Sequence, residues 1–240
     1  MRDNGEAPSQ MTADPLIQVV LVDDHALVTD LLRHWLSRDA AIHVAGVAGT
    51  IRALKTLAAR RADVVLMDYV LPDGTGIDGI RVAKRRWPAA RVLMLTGWDD
   101  DAVMLEAIQA GADGYLLKDR PPEEVLQAVR VAYGGGVLVP PEVVGRLAAE
   151  VAARRAAGEP TSAPLPALTR REEQVLHQLV AGASTAEVSR RLGMTPSTVR
   201  THVRNILRKL GVHSKLAAVA LALSQGLVHP TPGRSAPSPK

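Results

Sequence analysis

The 240-residue chain is 47% hydrophobic, ample for packed cores, but it has no Phe and only 2% aromatic residues, so those cores must be built from Leu, Val, Ile and Ala. With no Cys it has neither a disulfide framework nor a thiolate metal site. The net charge of +4 is unevenly spread: residues 15–139 hold 14 Lys/Arg against 16 Asp/Glu, whereas residues 165–229 hold 9 against 3, the electrostatic footprint of a nucleic-acid binder or the mark of an Arg-rich coding bias. No apolar run approaches the roughly 20 residues of a spanning helix. The N-terminus lacks an apolar signal region, so a cytoplasmic protein with no membrane partner is expected.

Residues 1–15 are polar and read as a disordered tail. From there the pattern alternates. Apolar runs at Gln18–Val22, His43–Val47, Val64–Met67, Arg91–Leu95 and Gly114–Leu117 have strand length and composition. Amphipathic stretches at Ala26–Ser37, Ile51–Arg60, Ile77–Arg86, Asp101–Ala110 and Glu123–Tyr133 separate or follow them. Five strands alternating with five helices predict an α/β unit over 16–139, a doubly wound parallel sheet covered on both faces. Residues 140–166 open on Pro140-Pro141, continue as a short helix (Glu142 to Ala157) and end in the Pro-rich stretch Gly158–Pro166, the composition of a linker. Residues 167–228 have no strand pattern. They divide at Gly182, Gly193 and Gly211 into four helices, Arg170–Val180, Thr185–Leu192, Pro196–Leu210 and Lys215–Gln225, a compact all-α binding module. Residues 229–240 read as a second disordered tail.

Ligands of open α/β sheets bind at the carboxyl ends of the strands. There the first strand ends in Asp23-Asp24, the third in Asp68, the fourth in Thr96 and the fifth in Lys118. One Asp after a strand is commonly only a helix cap; this set at one sheet edge is not explained that way. Crowded carboxylates repel one another unless a cation intervenes, and Mg²⁺ suits an all-oxygen set. A carboxylate in such a site can attack phosphorus to give an acyl phosphate. Thr96 and Lys118 can then bind the phosphoryl oxygens. His25 reads as a residue at a helix start, and Trp35 and Trp87 as packing residues.

Residues Val22-Asp23-Asp24-His25, Met67–Gly76, Leu95-Thr96-Gly97 and Gly111–Lys118 resemble the CheY-like receiver domain of two-component response regulators. The resemblance implies strand order 2-1-3-4-5. It also implies Asp68 as phosphoacceptor, Mg²⁺ held by Asp23, Asp24, Asp68 and the backbone carbonyl of Val70, and Tyr115 as an aromatic switch partner of Thr96 and Lys118.

In the C-terminal unit, Val199, Val203, Ile206, Leu207 and Leu210 follow helical spacing and form one apolar face. Thr195 or Ser197 can cap this helix, with Pro196 in its first turn. A preceding helix, the Gly193 turn and this basic helix make a helix-turn-helix pattern. Leu168–Glu172, Val175-Leu176, Gly182, Glu187-Val188, Leu192 and much of Thr198–Leu210 resemble the LuxR-type DNA-binding domain. That resemblance implies base contacts from Arg200, Thr201 and Arg204, and phosphate contacts from Thr198, Arg208, Lys209, Ser214 and Lys215. The segment Ala183–Ala186 lacks the Lys or Asn that relatives often carry there.

The combination resembles the NarL/FixJ class of response regulators. It implies a histidine kinase and double-stranded DNA as partners, RNA polymerase as a further candidate, and a homodimer on DNA or after phosphorylation. The dimer would form through helix one or the face around helix four, strand five and helix five. Asp68 would hold, and slowly lose, a phosphoryl group without the protein being a turnover enzyme. Two rivals are a constitutive DNA-binding regulator with a phosphate-independent receiver and a phosphohydrolase. The latter would place an acid two residues after Asp68, where Val70 stands.

Overall fold

The computed structural model describes residues 16–97, 101–137, 167–212, 214–224 and 227–228. The expected tails and the 140–166 linker with its short helix lie outside the described residues. The first unit is built on β1 (Ile17–Val22), β2 (Ile42–Ala48), β3 (Val64–Asp68), β6 (Arg91–Thr96) and β7 (Gly114–Leu117), with a two-stranded ladder of β4 (Val70–Leu71) and β5 (Gly74–Thr75) inserted after β3. All five main strands are parallel in the order β2-β1-β3-β6-β7. Counted without the small ladder, that is the expected 2-1-3-4-5.

Side chains alternate across a strand, so each strand feeds two cores. Val19, Leu21, Val64, Leu66, Leu93 and Leu95 pack under α1 (Ala26–Leu36) and α5 (Pro122–Tyr133). Val20, Val22, Val65, Met67, Val92 and Met94 pack on the opposite side, under α2 (Ile51–Thr56), α3 (Gly76–Arg86) and α4 (Asp101–Ala110). β1, β3 and β6 are buried on both faces, which explains their near-continuous apolar runs, whereas the edge strand β2 is only partly covered.

One helix departs from the sequence reading. Helix α2 stops at Thr56 instead of continuing to Arg60, because Leu57 turns extended (ψ 134°). The Arg86 guanidinium, from the end of α3, donates to the freed carbonyls of Lys55 and Leu57. At its other end the Asp73 carboxylate, in the β4–β5 turn, accepts from the amides of Ile51 and Arg52 at 2.7 and 2.9 Å. Those two backbone hydrogen bonds, with Arg52 first and partial desolvation opposing, hold its carboxyl below the usual range.

The second unit comprises α6 (Arg170–Val180), α7 (Thr185–Leu192), α8 (Pro196–Leu210) and α9 (Lys215–Ser224). Helices α6 and α7 each open on a capping box, Thr169 with Glu172 and Ser184 with Glu187. Thr195 caps α8, accepting from the Thr198 amide at 3.2 Å. Gly193 closes α7 in the left-handed region (φ +63°), where a side chain would be strained, and so makes the tight turn into α8. Val175, Leu176, Leu179, Val188, Val199, Val203, Ile206, Leu216 and Val219 fill the centre.

The two units touch. The Thr185 amide donates to the Gly134 carbonyl at 3.0 Å, the Lys215 ammonium donates to the Gly135 carbonyl, and α9 packs on α4. No helix among the described residues is long and apolar enough to cross a membrane.

Candidate phosphoacceptor pocket and nucleic-acid interface

Parallel pairing puts the ends of β1, β3, β6 and β7 along one edge. Val22 pairs with Met67, Asp68 with Leu95, and Thr96 with Leu117, so Asp23, Asp68, Thr96 and Lys118 are carried to neighbouring positions. The turn beneath is kept close by Gly76, whose amide donates to the Tyr69 carbonyl at 2.7 Å. A Cβ there would stand 2.3 Å from the Asp68 carbonyl oxygen, so only Gly lets α3 begin so near the strand end.

Asp23 and Asp68 are almost fully buried, at 5% and 4% exposure. Lys118 Nζ lies 2.7 Å from Asp23 Oδ2 and 2.8 Å from Asp68 Oδ2. The ammonium is close enough for strong ionic attraction, yet both oxygens lack a well-directed hydrogen-bond donor. Buried acceptors in that condition are costly, and a cation bound by oxygen would relieve them. Burial, with Asp23 adding to it, pushes the Asp68 carboxyl above the usual carboxylate range against the opposing Lys118. Burial works against the Lys118 ammonium, but its close pairing with the Asp23 and Asp68 carboxylates outweighs that and raises its pKa. One ammonium therefore serves two buried carboxylates, with the exposed Asp24 beside them.

Thr96 and Tyr115 are buried at 0% and 1% exposure, Thr96 at the carboxyl end of β6 and Tyr115 within β7. Val70 follows Asp68 by two residues in β4. His25 precedes α1, as expected of a helix-start residue, but its side chain makes no capping bond. Its Nδ1 instead lies 3.1 Å from Asp23 Oδ1, 3.0 Å from Asp24 Oδ1 and 3.9 Å from Asp68 Oδ2. No sequence pattern distinguishes these two uses of a residue that follows a strand.

On α8, Arg200, Thr201, Arg204 and Arg208 are exposed while Val199, Val203, Ile206 and Leu210 are buried. At about 100° per residue the four exposed side chains fall within roughly 100° of one another, a single polar stripe. Thr198 is exposed but lies off this stripe. Three other residues expected at phosphates have protein partners. Lys209 Nζ pairs with the buried Glu172 at 2.7 Å. Ser214 is buried and accepts from the Ala217 amide at 3.0 Å. Lys215 is buried against Gly135, and desolvation, with Arg91 next, lowers its pKa to about 8. Arg200, Arg204 and Lys215 face Lys84, Arg91 and Asp113 of the first unit across a cleft of about 490 Å³.

Residues 19–130 match the response regulator receiver domain, and residues 166–222 match the bacterial regulatory proteins of the luxR family. The chain belongs to the two-component response regulators of the NarL/FixJ class, which join a receiver to a LuxR-type DNA-binding domain and act as transcriptional regulators. Within that class it is 38% identical to the probable transcriptional regulatory protein NarL of Mycobacterium tuberculosis, over 88% of this chain and 96% of that protein. It is 35% identical to the nitrate/nitrite response regulator protein NarP of Escherichia coli, over 87% and 95%. A solved LuxR-family response regulator from Aurantimonas is 30% identical, with a TM-score of 0.52 over 56% of this chain and 97% of that one.

Proposed function

We propose that Asp68 accepts a phosphoryl group from a partner histidine kinase and that the modified receiver releases the α8 stripe to read DNA as part of a homodimer. The observation that carries this reading is the buried Asp23–Asp68–Lys118 group with its two undirected carboxylate oxygens. An Asp68 oxygen attacks phosphorus of the kinase phosphohistidine, the P–N bond breaks and its electron pair returns to the imidazole. Asp23, Asp24, Asp68 and the Val70 carbonyl would hold Mg²⁺, which supplies charge neutralisation for the transferring group. Lys118 and Thr96 then bind phosphoryl oxygens, and Tyr115 repacks beside Thr96.

Lys118 now bridges Asp23 and Asp68, so a phosphoryl group there changes the partners of the residue ending β7. That local charge change biases an equilibrium between receiver states. With α9 lying on α4, the α4 face is engaged within the chain. Leu27 and Leu31, one turn apart on α1, are 84% and 49% exposed and favour α1 as the dimer surface.

Acetyl phosphate with Mg²⁺ is expected to raise the affinity of the full chain for its promoter DNA by about tenfold or more, the scale of a coupling of 1–3 kcal/mol. Equal affinity with and without acetyl phosphate, read by gel shift at fixed salt, would favour the constitutive regulator instead. Arg200→Ala and Arg204→Ala should each weaken binding by about 1–3 kcal/mol, as for lost guanidinium contacts to guanine. Fluorescence anisotropy on the phosphorylated protein checks this; a change within twofold for both would remove α8 as the reading helix.

A further inference from the structure

We propose that His25 is a nitrogen ligand that makes the phosphoacceptor pocket a site for Zn²⁺, and that Zn²⁺ bound there keeps Asp68 from being phosphorylated. Four donors, one each from Asp23, Asp24, His25 and Asp68, lie within 4.8 Å of one another. Tetrahedral zinc with bonds of 2.0–2.2 Å separates its ligands by roughly 3.3 Å. The His25 Nδ1 separations from Asp23, Asp24 and Asp68, at 3.1, 3.0 and 3.9 Å, straddle that value.

The two sides of the pocket are occupied differently. Asp23 turns Oδ1 to His25 and Oδ2 to Lys118, so its imidazole side can take a cation without loss of the ammonium, whereas Asp68 Oδ2 lies between His25 and Lys118 and a cation there competes with the ammonium for it. The His25 side chain is 61% exposed, which leaves an entry path from solvent. Its ring is spent on no helix cap, and its backbone amide already donates to Asp23 Oδ1 at 2.9 Å, fixing the residue beside the carboxylates.

Ligand chemistry separates the two metals. Mg²⁺ takes oxygen and gains little from imidazole, whereas imidazole raises affinity for Zn²⁺. Zinc held by three carboxylates and His25 is a closed four-coordinate site with no position for a phosphoryl oxygen. It also ties up the Asp68 carboxylate that must attack phosphorus. Zn²⁺ and phosphoryl transfer therefore exclude each other, an inference that rests on the reading of Asp68 as phosphoacceptor.

The test uses the full chain and its His25→Ala and His25→Gln variants, titrated calorimetrically with Zn²⁺ and with Mg²⁺. Both variants should bind Zn²⁺ about tenfold more weakly or worse, the least expected for losing a direct ligand, with Mg²⁺ affinity within about threefold of wild type. Zn²⁺ should also suppress Mg²⁺-supported acetyl-phosphate labelling of the wild type at about tenfold lower concentration than in either variant. Unchanged Zn²⁺ affinity in both variants would overturn the proposal and leave His25 as an ion-pair partner of Asp23 and Asp24. So would Zn²⁺ that binds but leaves labelling intact. No labelling of any protein with Mg²⁺ alone would instead sink the phosphoacceptor reading, with the binding titration still deciding the role of His25.

Discussion

Asp68→Asn is expected to cut acetyl-phosphate labelling by at least about 100-fold while making the metal-free receiver more stable. The first effect follows from chemistry: a carboxamide carries no anionic oxygen to attack phosphorus. The second follows from the pocket. Asp68 is buried beside Asp23, and burial raises its pKa above the unfolded value. A carboxyl with a raised folded pKa contributes stability at low pH and loses it as pH rises through that value, so ionised Asp68 is a liability at neutral pH. Asn removes the charge and leaves Lys118 to Asp23. A gain on the order of 1 kcal/mol would raise the midpoint by about 2–4 °C. The three tryptophans, at 35, 87 and 98, all fall within the receiver sequence 16–139, so their fluorescence reports on receiver unfolding. The stability difference should shrink as pH is lowered. Labelling that persists in the variant would move the phosphoacceptor elsewhere.

Lys118→Ala should have the opposite effect on stability. Its ammonium is the cation shared by the buried carboxylates of Asp23 and Asp68. Removing one partner from a buried ionic group costs about 3–5 kcal/mol, because the remaining charge is stranded. Here the cost is limited by protonation of Asp68, so the loss should be largest above neutral pH and relieved by acid. Mg²⁺ at about 100 times its Kd would return about 2.7 kcal/mol by binding the folded state alone. The variant should therefore melt well below wild type in chelator and recover most of the difference with Mg²⁺. Equal melting in chelator would mean that Lys118 does not carry the charge balance of the pocket.

Much of this pocket is legible in the sequence. Asp23, Asp68, Thr96 and Lys118 each end an apolar run, and a parallel sheet carries strand ends to one edge whatever the intervening loops do. The α8 stripe was legible for a similar reason, since helical spacing separates Val199, Val203 and Ile206 from Arg200 and Arg204. What escaped depends on partners far along the chain. Asp73 caps α2 from 22 residues away, and Arg86 closes the same helix from 31 residues beyond Lys55. Lys209 meets Glu172 across 37 residues and Lys215 meets Gly135 across 80. A basic residue in a basic segment reads equally well as a DNA contact or an internal ion pair, and only tertiary packing separates the two. The two-residue strands β4 and β5 fall below the length at which alternation is visible.

The contact between Thr185 and Gly134 has a practical meaning. Thr185 is the first residue of α7, a position whose amide has no acceptor inside its own helix. Here the acceptor is supplied by the other unit. Its exchange with deuterated solvent is thus governed by separation of receiver and DNA-binding domain, not by unwinding of α7. One proton becomes a gauge of whether the molecule is open or closed, readable without a label and independent of DNA.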